Sequence, residues 1–181
     1  MKLQIKNLKH MDGHDCMAFN LTLYIDGKKS MTVRNDGNGG CHFYESTKMD
    51  EHFPQSDYDK LKEMADGLPK EVTDMKNDDG TFFEYQPDVD SIIDGLIYDS
   101  IDLKKLKRDL KKQTLIHDFE DGRDVINAFS IKWEDRAKQF KWKGEEGRKS
   151  LEQKITHKQT VLNALPIEEA FQLYKKGTGL I

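Results

Sequence analysis

Five side chains in the first quarter of the chain belong to the types that ligate metals or act as nucleophiles: His10, His14, Cys16, Cys41 and His42. Imidazole nitrogens and thiolates are the ligands of tetrahedral zinc. His14, Cys16, Cys41 and His42 could close such a site if a hairpin brought its two ends together. The pattern His-x-Cys, then an adjacent Cys-His pair, matches no standard zinc module, and adjacent ligands are awkward to turn onto one ion. No metal or other cofactor is therefore expected. Cys41 stands beside a base, as an activated nucleophile requires, but consecutive strand residues point to opposite faces. His42 is thus a poor base for its neighbour. His52, His117 and His157 are isolated. The close carboxylates Asp78–Asp79 and Asp88/Asp90 lack an environment that would raise one pKa selectively. No catalytic constellation emerges, and a non-enzymatic role is expected.

A second chemistry belongs to "VRNDGNGGCHFYE", residues 33–45. Successive backbone N–H groups around Asn35, Asp36, Gly37, Gly39 and Gly40 could form an anion-binding nest, with glycine allowing close approach. A nucleotide or similar small anion would be the ligand. Both standard phosphate fingerprints are missing, because no Gly-Lys-Ser/Thr follows and no helix opens at the loop. A wide turn between two strands is the plainer account.

Charge supplies the third signal. The net charge is −4, but residues 50–102 carry sixteen acids against four bases, and residues 103–160 carry sixteen bases against ten acids. The acidic stretch, with Asp78, Asp79, Asp88 and Asp90, could imitate a phosphate backbone and occupy a basic groove on a partner protein. The basic stretch places Lys104, Lys105, Lys107, Arg108, Lys111 and Lys112 on one helix. It is a candidate nucleic-acid surface, although cations near a helix C-terminus also complement the macrodipole. Trp133, Phe140 and Trp142 lie among further basic residues in a pattern suited to stacking.

The elements that must position these groups follow from periodicity. The first 49 residues read as an antiparallel β-meander, with alternation through Leu3 and Ile5 and again through Phe19, Leu21, Leu23 and Ile25. Asp26-Gly27 marks a hairpin turn. A three-residue loop with Gly27 left-handed would set Leu23 opposite Met31 and Leu21 opposite Val33, matching apolar side chains on one face. That register brings Cys16 roughly opposite Asn38. "CHFYE" returns as a short strand. Ser56 is the expected N-cap of a helix burying Tyr58, Leu61, Met64 and Ala65, stopped by Gly67 and Pro69. Residues 70–86 read as polar and turn-rich, followed by Phe82, Phe83 and Tyr85. A long helix from Asp88 to about Lys112 has Gly95 and Ser100–Asp102 as points where it could kink or split. "TLIHDF" and "VINAFSIKW" form a second hairpin across Glu120–Asp124. A charged helical region is expected over 134–158, a short strand in "TVLNALP", and a last helix from Pro166 to Gly177. The expected class is α+β in a single domain of three segments, 1–49, 50–112 and 113–181. The first residues lack a signal-peptide core and no run reaches the length of a membrane span. A cytoplasmic protein without membrane contact is the expectation.

The order "FNLTLYIDGKK…VRNDGNGGCHFYE", then "LKKQTLIHDF", then "TVLNALPIEEAFQLYKK", resembles small phage-encoded proteins of hypothetical status sharing an N-D-G-x-G-G-C hairpin motif. The resemblance implies no known activity or catalytic residue. It implies a phage accessory protein that acts stoichiometrically, by binding and inhibiting a host defence factor such as a CRISPR effector. Binding of a small nucleotide by the glycine loop, or of nucleic acid by the basic helix, remain the alternatives.

Overall fold

A computed structural model describes residues 1–48, 52–130 and 159–180. The fold is α+β with antiparallel sheets, and the chain forms two compact units, Met1–Ser100 and Ile101–Ile181. The expected helical region 134–158 and the aromatic residues Trp133, Phe140 and Trp142 lie outside the described residues. No helix among the described residues is long and apolar enough to cross a membrane.

The first unit opens on a four-stranded meander, β1 (Leu3–Asp12), β2 (Met17–Ile25), β3 (Lys28–Asn35) and β4 (Phe43–Ser46), paired in chain order. The expected register holds: Leu23 faces Met31 and Leu21 faces Val33. The device that achieves it differs from the expected three-residue loop. Ile25 pairs directly with Lys28 across a two-residue turn in which Asp26 and Gly27 both have positive φ, 49° and 79°. Such a turn follows the right-handed strand twist. A bulge between Leu23 and Tyr24 of β2 then absorbs Ser30 on β3 and restores the apolar pairing. The extra residue has a use, because Ser30 Oγ donates to Asp57 Oδ2 at 2.8 Å.

Asp57 belongs to α1 (Gln55–Asp66). Pro54, not Ser56, is its N-cap, since the fixed proline φ already starts the turn and Ser56 lies within the helix. Leu61 and Ala65 are buried as expected, but Met64 is 39% exposed, so the inward stripe is narrower than periodicity indicated. Gly67 closes the helix. The stretch read as polar and turn-rich is instead a separate hairpin, β5 (Glu71–Lys76) and β6 (Phe82–Tyr85). Gly80, at φ +85°, completes its turn, with Asn77 N–H donating to Thr81 O. Gln86 ties the hairpin's end to α1 by donating to the carbonyls of Ala65 and Leu68.

α2 (Val89–Lys112) runs as one continuous helix through Gly95 and Ser100–Asp102, the points where a kink or split was open from the sequence. A single glycine costs a helix only about 1 kcal/mol, which buried neighbours outweigh. Val89, Ile93 and Ile97, one turn apart, are buried in the first unit.

In the second unit, Leu106 joins Leu115, Leu162, Ala170, Phe171 and Tyr174 in a core, with Leu103 and Leu110 packed against it. β7 (Thr114–Glu120) and β8 (Arg123–Phe129) form the expected second hairpin, closed more tightly than expected by Asp121 and Gly122 at φ 49° and 81°. β9 (Thr160–Val161) pairs with β7 and passes into a 3-10 turn, Leu162–Ala164. Asn163 in that turn donates to the carbonyls of Leu110 and Gln113, satisfying the end of α2. Pro166 caps α3 (Ile167–Gly177), as the sequence indicates.

Candidate functional site

The glycine loop is built around the side chain of Asn35, which is buried. Its Oδ1 accepts from Gly37 N–H at 2.8 Å, and its Nδ2 donates to Gly40 O at 2.9 Å. Gly37 in turn packs on the β1–β2 loop, its carbonyl accepting from the N–H groups of Asp15 and Cys16. Glycine is required here by contact as well as by φ. A Cβ on Gly37 (φ +83°) would lie 2.8 Å from Gly13 Cα and 3.0 Å from Ala18 Cβ. Cys16 therefore does meet the loop, one residue from the expected position, and its Sγ lies 3.5 Å from Asn35 Oδ1. Asn38 N–H is taken by Asp36 Oδ1. Of the five ligand-binding candidates, Asn35 and Gly37 are spent on holding the turn. Asp36, Gly39 and Gly40 remain exposed.

The loop ends at His42, whose ring and backbone meet Asn35, Asp90 and Asp94. The ring is 8% exposed and sits edge-on to Phe19. Asn35 Nδ2 lies 3.1 Å from Nδ1, and Asp94 Oδ1 lies 3.1 Å from Nε2. The Asn35 amide is oriented by Gly37 and Gly40, so its NH2 group faces Nδ1 and that nitrogen accepts. Nε2 carries the hydrogen and donates to Asp94. The backbone N–H of His42 donates to Asp90 Oδ2 at 2.8 Å, and Tyr44 Oη donates to Asp90 Oδ1 at 2.6 Å. Burial disfavours charge on His42, but the Asp94 bond and the charges of Asp90, Asp94 and Asp88 outweigh it and raise the pKa. Burial, then the bond to Asp90, raises that of Tyr44 far beyond the ordinary phenol range. Asp90 and Asp94 both reach β4's end because they lie one turn apart on α2. Asp94 was not singled out in the sequence, though the i, i+4 spacing was its signal.

This cluster fastens the loop to α2. Neither ring nitrogen of His42 is open to a substrate, so the imidazole cannot serve Cys41 as a base. The thiols Cys16 and Cys41 are both exposed, and His14 is 84% exposed with its Nδ1 on Asp15. The four zinc candidates are not brought to one point, and no group of three or more His, Cys, Asp or Glu side chains among the described residues is arranged for a metal.

Beside His42 a cleft of about 350 Å³ opens, with Tyr44, Tyr58, Asp66, Asp88 and Asp90 in its wall and Lys62 as its cation. Tyr44 and Tyr58 meet edge-on at 5.1 Å between ring centroids. Three carboxylates, two of them already bonded within the fold, face one ammonium and the His42 ring there, and the acidic excess with aromatic walls suits a cationic group. Sequence reasoning did not find it, because its walls come from β4, α1 and the start of α2.

The four acidic candidates separate into two roles. Asp78 and Asp79 are exposed in the β5–β6 turn, and Asp79 accepts from Thr81 N–H and Oγ1. Asp88 caps α2 through Ser91 N–H at 2.8 Å, and Asp90 has both oxygens engaged by His42 and Tyr44. Around Asp78 and Asp79 the hairpin exposes Val72 (63%), Met75 (61%), Phe82 (50%) and Phe83 (43%). The six basic candidates Lys104, Lys105, Lys107, Arg108, Lys111 and Lys112 are all exposed on the second half of α2. No protein-family model, no curated protein and no solved structure matches the chain.

Proposed function

We propose that the protein acts stoichiometrically, by binding a basic surface of a partner protein through the acidic face of its first unit. The observation that carries this reading is the β5–β6 hairpin. It forms a two-stranded sheet of its own and exposes Val72, Met75, Phe82 and Phe83 among Glu71, Asp74, Asp78, Asp79 and Glu84. Isolated two-stranded hairpins are marginal in water, and exposed apolar side chains rimmed by charge are the usual anatomy of a protein interface. The tyrosine-walled cleft at Asp66, Asp88 and Asp90 gives a lysine or arginine of the partner a seat. In its most specific form, drawn from the resemblance to phage proteins, the partner is a host defence factor such as a CRISPR effector.

The test is quantitative capture of host proteins on wild-type chain, on Phe82→Ser/Phe83→Ser, and on Asp78→Lys/Asp79→Lys. A protein retained by wild type, released by salt and lost in both variants is expected. A partner retained equally by all three proteins would refute the hairpin as its contact. In a defended host, expression of wild type should raise phage plating and the variants should not.

A further inference from the structure

The second half of α2 carries a surface of a different kind. Taking 100° per residue, Lys104, Lys105, Lys107, Arg108, Lys111 and Lys112 fall within a continuous arc of roughly 160°. Leu103, Leu106 and Leu110 occupy the opposite side and pack into the core of the second unit. All six cations are exposed, and among the described residues only Arg108 has a carboxylate within 4 Å, that of Asp109 at 3.5 Å. The helix macrodipole accounts for Lys111 and Lys112, which lie in the last turn. It does not account for Lys104, Lys105, Lys107 and Arg108, because the effect fades beyond that turn.

We infer that this face binds the phosphate backbone of a nucleic acid. Two features select that partner over an acidic protein. Five of the six cations are lysines, which are depleted at protein interfaces. No exposed aromatic or large aliphatic side chain lies between residues 103 and 112 to serve as an anchor. A surface of exposed cations without anchors suits a polyanion whose binding comes from counterion release and reads no sequence. Residues 104–112 extend about 12 Å along the axis at 1.5 Å per residue, enough for roughly three to five phosphates. The inference is independent of the hairpin and its protein partner.

Fluorescence anisotropy with a labelled 20-nucleotide single strand, a 20-base-pair DNA duplex and the matching RNA duplex tests it. Binding to at least one is expected at 50 mM salt, with log K falling against log salt at a slope of about −3 to −4. The three arms identify which nucleic acid is preferred. Lys104→Gln/Arg108→Gln/Lys111→Gln should weaken binding at least tenfold and flatten the slope by about 2 to 3. Lys9→Gln/Lys28→Gln/Lys29→Gln, with the same loss of charge in the first unit, should bind as wild type does. Circular dichroism melts confirm that both triple variants fold, and Phe82→Ser/Phe83→Ser should retain full nucleic-acid affinity. No binding at 50 mM salt, equal loss in the two triple variants, or tighter binding to polyglutamate than to any nucleic acid would overturn the inference.

Discussion

Asp94 Oδ1 accepts the Nε2–H of His42 at 3.1 Å, joining α2 to the end of the glycine loop across a sequence separation of 52 residues. With Nδ1 facing the NH2 group of Asn35 at 3.1 Å, the neutral ring is satisfied at both nitrogens. A second proton on Nδ1 would replace that acceptor with a donor beside the Asn35 NH2 group, with Asp90 Oδ2 3.9 Å from the nitrogen.

That arrangement has a pH signature. Burial lowers the His42 pKa, but the Asp94 bond and the charges of Asp90, Asp94 and Asp88 outweigh it, so the folded-state value is raised. A raised histidine contributes stability that is present in full below its unfolded value, about 6.5, and is lost as pH rises through the folded value. Urea denaturation of wild type and Asp94→Asn at pH 5.5 and pH 8.5 should show the wider stability gap at pH 5.5. A gap that widened toward pH 8.5 would contradict the cluster as described.

Asp90 has each of its carboxylate oxygens accepting a hydrogen bond from β4 or the residue before it. Replacing it by alanine leaves the N–H of His42 and the hydroxyl of Tyr44 without their acceptor. Hydrogen bonds to charged groups contribute about 1.5–3 kcal/mol each, so losing two in Asp90→Ala should destabilise the fold by about 3 kcal/mol or more. Asp78→Ala, in the exposed turn, should change stability by less than about 0.5 kcal/mol. Denaturant midpoints at pH 7 separate the two cases.

The glycines of the loop are not equivalent. Gly37→Ala forces a side chain onto Gly13 and Ala18 at a positive φ and should lower stability by about 2 kcal/mol or more. A Cβ on Gly40 meets nothing within 4 Å, so Gly40→Ala should be tolerated. Thermal melts of the two variants check this, and equal destabilisation would count against the Gly13–Gly37 contact.

Exposed apolar side chains predict behaviour as well as binding. Phe82 and Phe83 are 50% and 43% exposed, so Phe82→Ser/Phe83→Ser should shift the melting midpoint little. The same change should lower the concentration dependence of light scattering, because exposed apolar side chains on an isolated hairpin invite self-association.

Hydrophobic periodicity by itself determined the β-meander, its register, the long helix, the second hairpin and the last helix. Those follow from local alternation and from pairing apolar faces, as Leu21 with Val33 and Leu23 with Met31 illustrate. The β5–β6 hairpin escaped because most of its positions are exposed, so no buried face imprints an alternating pattern. Gly95 left a kink open in the sequence, and burial of Ile93 and Ile97 on either side keeps the helix continuous. Only the tertiary structure decided which polar residues are spent and which are free. Asp78 and Asp90 look alike in the sequence, yet one faces water and the other holds His42 and Tyr44. Hydrogen-bond partners brought together from distant positions are invisible to local pattern, and they turn the Cys-His pair beside the glycine loop into an exposed thiol and a fastening imidazole.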